Sequence, residues 1–375
     1  MQHQLTTEQK DIINTIPMYG GSYRIMAYAG TGKTYILRRL CERMRNKTIL
    51  NLSFNKGIAF EGRKTFPSNV ECRTFHSVAM AYIRERVGGK IKIAEHPTEI
   101  KYYFKRRMPE LVYQKYAYNA VRTFCMSEDD CVGLTHVKSK HNQILGLDTS
   151  KEQMCQIILR DAVEMWKHIR KHRATMPLSH DMYLKMFALS NCGLIQYDVV
   201  LVDEAQDMNP CMMQVLKRLK QDIILVGDPF QQIYEFNGAV NALGRFDFPE
   251  KYLTHSFRWG PDLANLANTI LGYTKEFDPV NNRIKGRSSY DTEVKDCGAF
   301  SRPSKVDAVV CRTNRDCYAL AKEFRTMEIP YKLHDRSRVQ SLLNTLVDFR
   351  DGKTKSFREF TNWDTFVEVC KDDTI

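Results

Sequence analysis

From residue 21 the chain alternates short runs rich in β-branched and aromatic residues with stretches whose apolar positions recur every three or four residues. That alternation predicts a parallel α/β sheet. The predicted strands are Tyr23–Tyr28, Thr48–Leu52, Val70–Arg73, Asp198–Val202 and Ile223–Val226. The runs Val199–Val202 and Ile223–Val226 are apolar without a break, as expected of strands covered by helices on both faces. Between residues 78 and 195 the strand pattern stops and helical spacing takes over, as in Lys151–Ile169, which predicts a helical insertion between two strands of one sheet. After residue 250 a second alternation is expected: strand Lys251–Thr254, helix 261–273, strand Val306–Cys311, helix 315–327 and strand Tyr331–Leu333. Residues 275–305, rich in charge and turn formers, read as a surface loop.

Composition narrows the class. A chain of 375 residues suggests two or three domains at ~150 residues each. With 43% apolar and 27% charged residues, it is neither disordered nor collagen-like. No stretch approaches the ~18 apolar residues of a membrane span, and Met1–Glu8 has no signal-peptide core. The 11 cysteines include no C-x-x-C pair, which argues against a zinc framework and predicts reduced thiols in cytosol or nucleus. The formal net charge of +12 suits a polyanionic partner, and by itself it fits nucleic acid and an anionic membrane surface equally. Residues 81–190 hold 19 Lys/Arg against 12 Asp/Glu, with Tyr102, Tyr103, Tyr113, Tyr116 and Tyr118 interleaved. Basic groups with aromatic rings fit a nucleic-acid face; helices with aromatic cores and solvated charges fit the same residues.

The sharpest chemistry lies in Ala27-Tyr-Ala-Gly-Thr-Gly-Lys-Thr34, after a predicted strand and at the start of a predicted helix. Gly30 and Gly32 permit a tight turn in which the amides of Ala29, Gly30, Thr31 and Gly32 face an anion, with the helix N-terminus adding positive charge. Lys33 reaches the β- and γ-phosphates, and the Thr34 hydroxyl is a ligand for Mg²⁺. Ala27 replaces the glycine that opens the strict pattern, and alanine still allows a compact turn at negative φ. In Val199-Val-Leu-Val-Asp-Glu-Ala-Gln-Asp207 an apolar strand ends in paired carboxylates. Asp203 is expected to hold Mg²⁺ directly or through water, and Glu204 to polarise the attacking water.

With those two motifs, six further segments resemble the UvrD/Rep-type superfamily 1 helicases, within them the F-box DNA helicase branch. Leu5-Thr-Thr-Glu-Gln9 resembles the family's Q motif, which implies that Gln9 reads the adenine edge. Ser53-Phe-Asn-Lys-Gly-Ile-Ala59 and the Thr-Phe-His-Ser stretch at 74–77 resemble motif Ia and the segment after it, and imply that Phe54, Asn55, Lys56, Thr74 and His76 line the DNA path. Val226–Ala239 resembles motif III, with Gln231 as γ-phosphate sensor and Tyr234 and Phe236 as base-stacking rings. Leu253-Thr-His-Ser-Phe-Arg258 resembles motif IV, with Phe257 against the adenine and Arg258 on the γ-phosphate, and Val310–Asn314 resembles motif IVa.

The resemblance implies a P-loop (RecA-like) fold with lobe 1A at residues 1–77 and 196–257, a helical insertion 1B at 78–195 and an incomplete second RecA-like lobe 2A at 258–375. It implies ATP and Mg²⁺ as cofactors, single-stranded DNA or DNA junctions as partners, 3′→5′ polarity, a role in recombination or repair, and a nuclear location. Asn237 stands where the family has Arg, and neither the Thr-x-His-x-x-Lys-Gly-Leu-Glu nor the Val-Ala-x-Thr-Arg stretch of the family occurs after Arg258. A truncated, slow motor is therefore expected, with a non-catalytic ATP- and DNA-binding regulator of a partner helicase as the alternative. Gln9, the Thr-Phe-His-Ser stretch and the Gly-Asp-x-x-Gln element argue against a P-loop kinase or GTPase.

Overall fold

The computed structural model describes residues 5–95, 97–139, 152–190, 194–232, 241–280, 282–294 and 307–333, with short pieces at 347–348, 350–352 and 362–364. It divides into two compact units, Met1–Val294 and Lys295–Ile375. Tyr234, Phe236 and Asn237 lie outside the described residues.

In the first unit six parallel strands form one sheet in the order β3-β2-β4-β5-β1-β6: β1 Tyr23–Ala27, β2 Ile49–Ser53, β3 Val70–Thr74, β4 Val199–Val202, β5 Asp222–Gly227 and β6 Glu250–Leu253. Strands β2 and β4 are buried along their whole length, whereas the edge strands β3 and β6 are partly exposed. Alternate residues feed two cores, because successive side chains on a strand point to opposite faces. Ile49, Val199, Leu201, Ile224 and Val226 pack with Ile12 and Ile16 of α1 (Thr7–Tyr19) and with Ile36, Leu37 and Leu40 of α2 (Lys33–Arg43). Leu50, Leu52, Val200, Val202, Ile223 and Leu225 face the opposite way and join a core that continues into the insertion.

That insertion runs between β3 and β4, after α3 (Lys56–Thr65), as α4 Phe75–Val87, α5 Pro97–Arg107, α6 Gln114–Met126, the short α7 Leu134–Val137, α8 Glu152–Lys171 and α9 His180–Ala188. Phe104, Phe124, Met165, Trp166 and Phe187 fill its centre. Lys185 is fully buried there and donates to Ser127 O at 2.9 Å, Asp129 O at 2.6 Å and Gln214 Oε1 at 3.0 Å, with its ammonium 4.5 Å from the Phe124 ring centroid. Because Gln214 sits on α10 (Pro210–Lys217), this one cation joins the insertion to the connection between β4 and β5. A lysine in a helical run gives no sign of such burial in the sequence.

The strand expected at 251–254 is β6, and it pairs with β1 in the first sheet rather than opening a second one. Helix α11 (Pro261–Leu271) follows it. In the second unit, α12 (Asn314–Thr326) forms where a helix was expected, with a Thr313–Asp316 capping box at its start. The strands expected at 306–311 and 331–333 are absent among the described residues, which have no ladder partner there. No described helix is long and apolar enough to cross a membrane.

Candidate functional site

The carboxyl ends of all six strands lie along one edge of a parallel sheet, where ligands of open α/β folds bind. After β1 the chain turns through Tyr28–Gly32 into α2. Gly30 and Gly32 adopt φ of +77° and +84°, a left-handed region that costs side-chain-bearing residues. A Cβ at Gly30 would also lie 2.6 Å from Ser256 Oγ and 2.8 Å from Arg258 Cγ, so glycine is required there twice over. Thr31 Oγ1 donates to Tyr28 O at 2.7 Å and fastens the turn, and Gly30 O accepts from Phe257 N at 2.8 Å. Helix α2 has neither a side-chain cap nor an acidic residue in its first turn, which leaves its first amides open to an anion.

Lys33 opens α2, and its Nζ lies 2.7 Å from Glu204 Oε2. Gln206 Nε2 donates to the same oxygen at 2.9 Å. Glu204 is held at φ 54° and ψ 48°, a strained conformation for a residue with a Cβ and one that clusters at active sites. Beside it, Asp203 Oδ1 accepts from Glu204 N at 3.0 Å. Burial, and then the Glu204 charge, push the Asp203 carboxyl up to about 6, and the same two causes raise Asp207 to about 6. Asp228, at the end of β5, is raised chiefly by burial although Gln231 Nε2 donates to it at 2.5 Å. Asp207 Oδ1 is buried without a hydrogen-bond partner.

These carboxyls share Lys33 as their neighbouring cation, so the edge carries excess negative charge. A divalent cation fits that deficit and the orphaned Asp207 oxygen. No cluster of three metal-ligating side chains exists among the described residues, in keeping with Mg²⁺, which takes one or two carboxylates and completes its shell with water and phosphate oxygens. Asp203 and the exposed Thr34 hydroxyl, at the first turn of α2, are the candidates to hold it on this edge. Asp207 and Asp228 extend the acidic set beyond the pair the sequence motif supplies.

On the other side of the loop, Gln9, Gly32, Tyr35, Phe257, Arg287 and Tyr290 line a cavity of about 370 Å³. Gln9 is fixed twice, by the α1 capping box with Thr6 and by Nε2 donating to Thr31 O at 3.4 Å. The Arg287 guanidinium stands 5.2 Å from the Tyr290 ring centroid. A flat, largely aromatic slot next to an anion-binding loop suits a nucleobase. Tyr35, Arg287 and Tyr290 escaped the sequence reading, since the last two fall in the stretch taken for a surface loop and carry no motif spacing. Arg258 is exposed, with its side chain against Gly30.

The residues expected along a DNA path sit at the ends of β2 and β3 on this same edge. Asn55 Oδ1 caps α3 by accepting from Gly57 N at 2.8 Å, and Thr74 Oγ1 caps α4 by accepting from Ser77 N at 3.1 Å. Thr74 is buried, Phe54 is partly buried against the insertion core, and Lys56 is exposed. His76 packs edge-on to His180 and Tyr183, with ring centroids at 5.8 Å and 6.0 Å. Burial, then His180 and Lys56, pull its imidazole down to about 4, so it is neutral at pH 7 and is no phosphate-binding cation.

Comparison with known proteins agrees with this geometry. The AAA domain family model matches residues 9–237. The chain is 34% identical over 288 residues to F-box DNA helicase 1 of Gallus gallus, covering 72% of this chain and 28% of that protein. It is 27% identical over 404 aligned positions to F-box DNA helicase protein 1 of Schizosaccharomyces pombe, covering 96% of this chain and 44% of that one. A probable DNA helicase II homolog of Mycoplasma pneumoniae is 35% identical over 101 residues, which are 24% of this chain and 14% of that protein. The chain thus spans less than half the length of either F-box relative. With a glycine loop, a paired-acid strand and a base slot on one sheet edge, the chain belongs to the AAA domain family and, within it, to the UvrD/Rep-type superfamily 1 helicases on their F-box DNA helicase branch.

Proposed function

We propose that this chain is an ATP-hydrolysing DNA helicase motor that moves on single-stranded DNA. The observation that carries the reading is the 2.7 Å Lys33–Glu204 pair between the glycine loop and the acidic strand. Without nucleotide, the two groups neutralise each other. Lys33 turns to the β- and γ-phosphates when a triphosphate enters, which releases Glu204 to orient and deprotonate the attacking water. Thr34 and Asp203 would hold Mg²⁺, which would supply charge neutralisation at the phosphates. Gln231, tied to Asp228, is placed to sense the γ-phosphate, and Arg258 to stabilise its developing charge. The base enters the Gln9–Phe257–Tyr290 slot, and the DNA crosses the β2 and β3 ends past Phe54 and Lys56.

In this reading residues 1–77 and 196–257 form the first motor lobe, 78–195 its insertion, and 258–375 part of a second lobe. A 3′→5′ polarity, a role in recombination or repair and a nuclear location are part of the same proposal, as the motif resemblance implies. The test is ATP hydrolysis by the purified chain with and without oligodeoxythymidylate. DNA-stimulated turnover that Lys33→Ala and Glu204→Gln each abolish supports the reading. Tight ATP binding unaffected by Lys33→Ala overturns it.

A further inference from the structure

On the insertion, far in sequence from the motifs above, Thr98, Lys101, Tyr102 and Lys105 share one face of α5 at spacings of three, four and seven residues. Across from them stand Gln114, Lys115 and Tyr118 of α6, and Met165 of α8 closes the floor with Phe104. Together these residues enclose a cleft of about 450 Å³, within the range of small-ligand sites. Its floor is apolar and dry: Phe104, Tyr118 and Met165 are each buried to 2% exposure or less. Its mouth carries Lys101, Lys105 and Lys115, all exposed, and the ring of Tyr102, which is 68% exposed. No lining residue is acidic, and none of the three ammonium groups forms an ion pair among the described residues.

This arrangement works against local stability. Like charges at i and i+4 destabilise a helix, and Lys101 and Lys105 stand at that spacing. Lys115 lies in the first turn of α6, where the helix dipole disfavours a cation. An exposed tyrosine over an apolar slot keeps a large ring in water. A ligand with a flat apolar face and flanking negative charges relieves all three costs.

We propose that this cleft takes an unpaired base of a single DNA strand, stacked on Tyr102, with the neighbouring phosphates on Lys101, Lys105 and Lys115. The inference rests on the DNA-binding reading above and adds to it a second contact, separate from the sheet edge. Of the five tyrosines interleaved with basic residues in this region, the structure singles out Tyr102. Tyr118 is buried as the floor, Tyr103 is bonded to His168 Nε2 at 3.1 Å, and Tyr113 and Tyr116 pack on the core.

The experiment measures binding of a labelled oligodeoxythymidylate by anisotropy over a salt series, with the full chain. Three variants are compared: Tyr102→Ala, Tyr102→Phe and the triple Lys101→Gln/Lys105→Gln/Lys115→Gln. All changed residues are exposed, and unchanged ATP affinity with a melting temperature no lower than wild type verifies the fold. Stacking is worth ~1–3 kcal/mol per base, so Tyr102→Ala is expected to weaken binding about 5- to 150-fold, with Tyr102→Phe close to wild type. The triple variant is expected to lower the slope of log K against log salt by about 2, since each phosphate contact on a single strand contributes about 0.7. An iodouracil-substituted strand is expected to photocrosslink within residues 101–118. An abasic strand of equal length is expected to be insensitive to Tyr102→Ala. If wild type binds DNA and the cleft variants bind as well as it does, the cleft is overturned while the helicase reading stands. Equal Tyr102 sensitivity of abasic and base-bearing strands overturns the stacking, leaving a plain polyanion surface. If the wild-type chain binds no single strand at all, both readings fall.

Discussion

At the carboxyl edge of the sheet one lysine faces a group of carboxyls, Asp203, Glu204, Asp207 and Asp228; in the α5–α6 cleft three lysines face none. Both regions belong to a chain of net charge +12, and they ask for opposite things. The sheet edge holds its charges partly buried, with Lys33 set against several carboxyls, and calls for a further cation. The cleft holds three ammonium groups at an exposed mouth, Lys101 5.8 Å from the Tyr118 ring centroid and none of them in an ion pair among the described residues, and calls for an anion. What a site binds is set by the balance within a few ångströms, because exposed charges beyond ~8–10 Å are largely screened at physiological salt. Net charge predicts a polyanion somewhere on the molecule; only the local balance tells where.

The contrast can be broken most severely at the edge. Lys33→Ala removes its cation and is expected to lower ATP turnover by about 10³-fold, as loss of a preorganised donor to developing charge does. Steady-state hydrolysis with saturating DNA measures this, and a loss below tenfold would mean that the lysine is not at the phosphates. In the insertion the severe change is at Lys185, the one buried lysine or arginine there among the described residues. Lys185→Met leaves Ser127 O, Asp129 O and Gln214 Oε1 without their donor and is expected to cost about 3–5 kcal/mol of stability. Denaturant unfolding checks it, and a neutral result would show that water replaces the ammonium.

A smaller effect sharpens the base slot. Phe257→Ala and Tyr290→Ala each remove an aromatic wall and are expected to weaken ATP binding about tenfold, from the ~0.5–1.5 kcal/mol of ring contact plus lost buried area. Competition between ATP and inorganic tripolyphosphate isolates the base term, since tripolyphosphate affinity should not change. The smallest effect is on pH. Asp207 is raised to about 6 in the fold, above the ~3.9 of an unfolded aspartate. The folded chain therefore binds this proton more tightly, so the group favours folding below pH 4 and that advantage is lost as pH rises through 6. Asp207→Asn should raise the melting temperature of the nucleotide-free chain by about 1–2 °C at pH 7.5, and by less at pH 5. Differential scanning fluorimetry at the two pH values reads the sign.

The edge was readable from the chain because its geometry demands particular residue types at fixed spacing. A left-handed turn requires glycine at 30 and 32, and a helix that opens on a phosphate places Lys33 and Thr34 next. The central strands β4 and β5 were readable for the same kind of reason, since burial on both faces leaves nothing but apolar side chains. The alternation read after residue 250 opens on a strand of the first sheet. Glu250–Leu253 has strand composition, but composition does not say which sheet a strand joins, and β1 offered an open edge. His76 was a candidate DNA contact by motif position, and its packing was not legible because its ring neighbours, His180 and Tyr183, lie on a distant stretch of the chain. Tyr290 and Arg287 were invisible because a slot assembled from separate loops has no period. Tyr102 was visible only as one of five equivalent tyrosines, and burial together with the Tyr103–His168 hydrogen bond told them apart.

Leu50, Leu52, Val200 and Leu225 of the sheet belong to the same continuous core as Phe104, Phe124 and Trp166 of the insertion. No layer of solvent or polar linker separates the two, so the insertion is no appendage on a swivel. Strain applied to its outer helices, as by a strand held in the α5–α6 cleft, passes through close-packed side chains that compress little and arrives at the strand ends carrying Asp203 and Ser53. The sheet and its insertion therefore form one close-packed body.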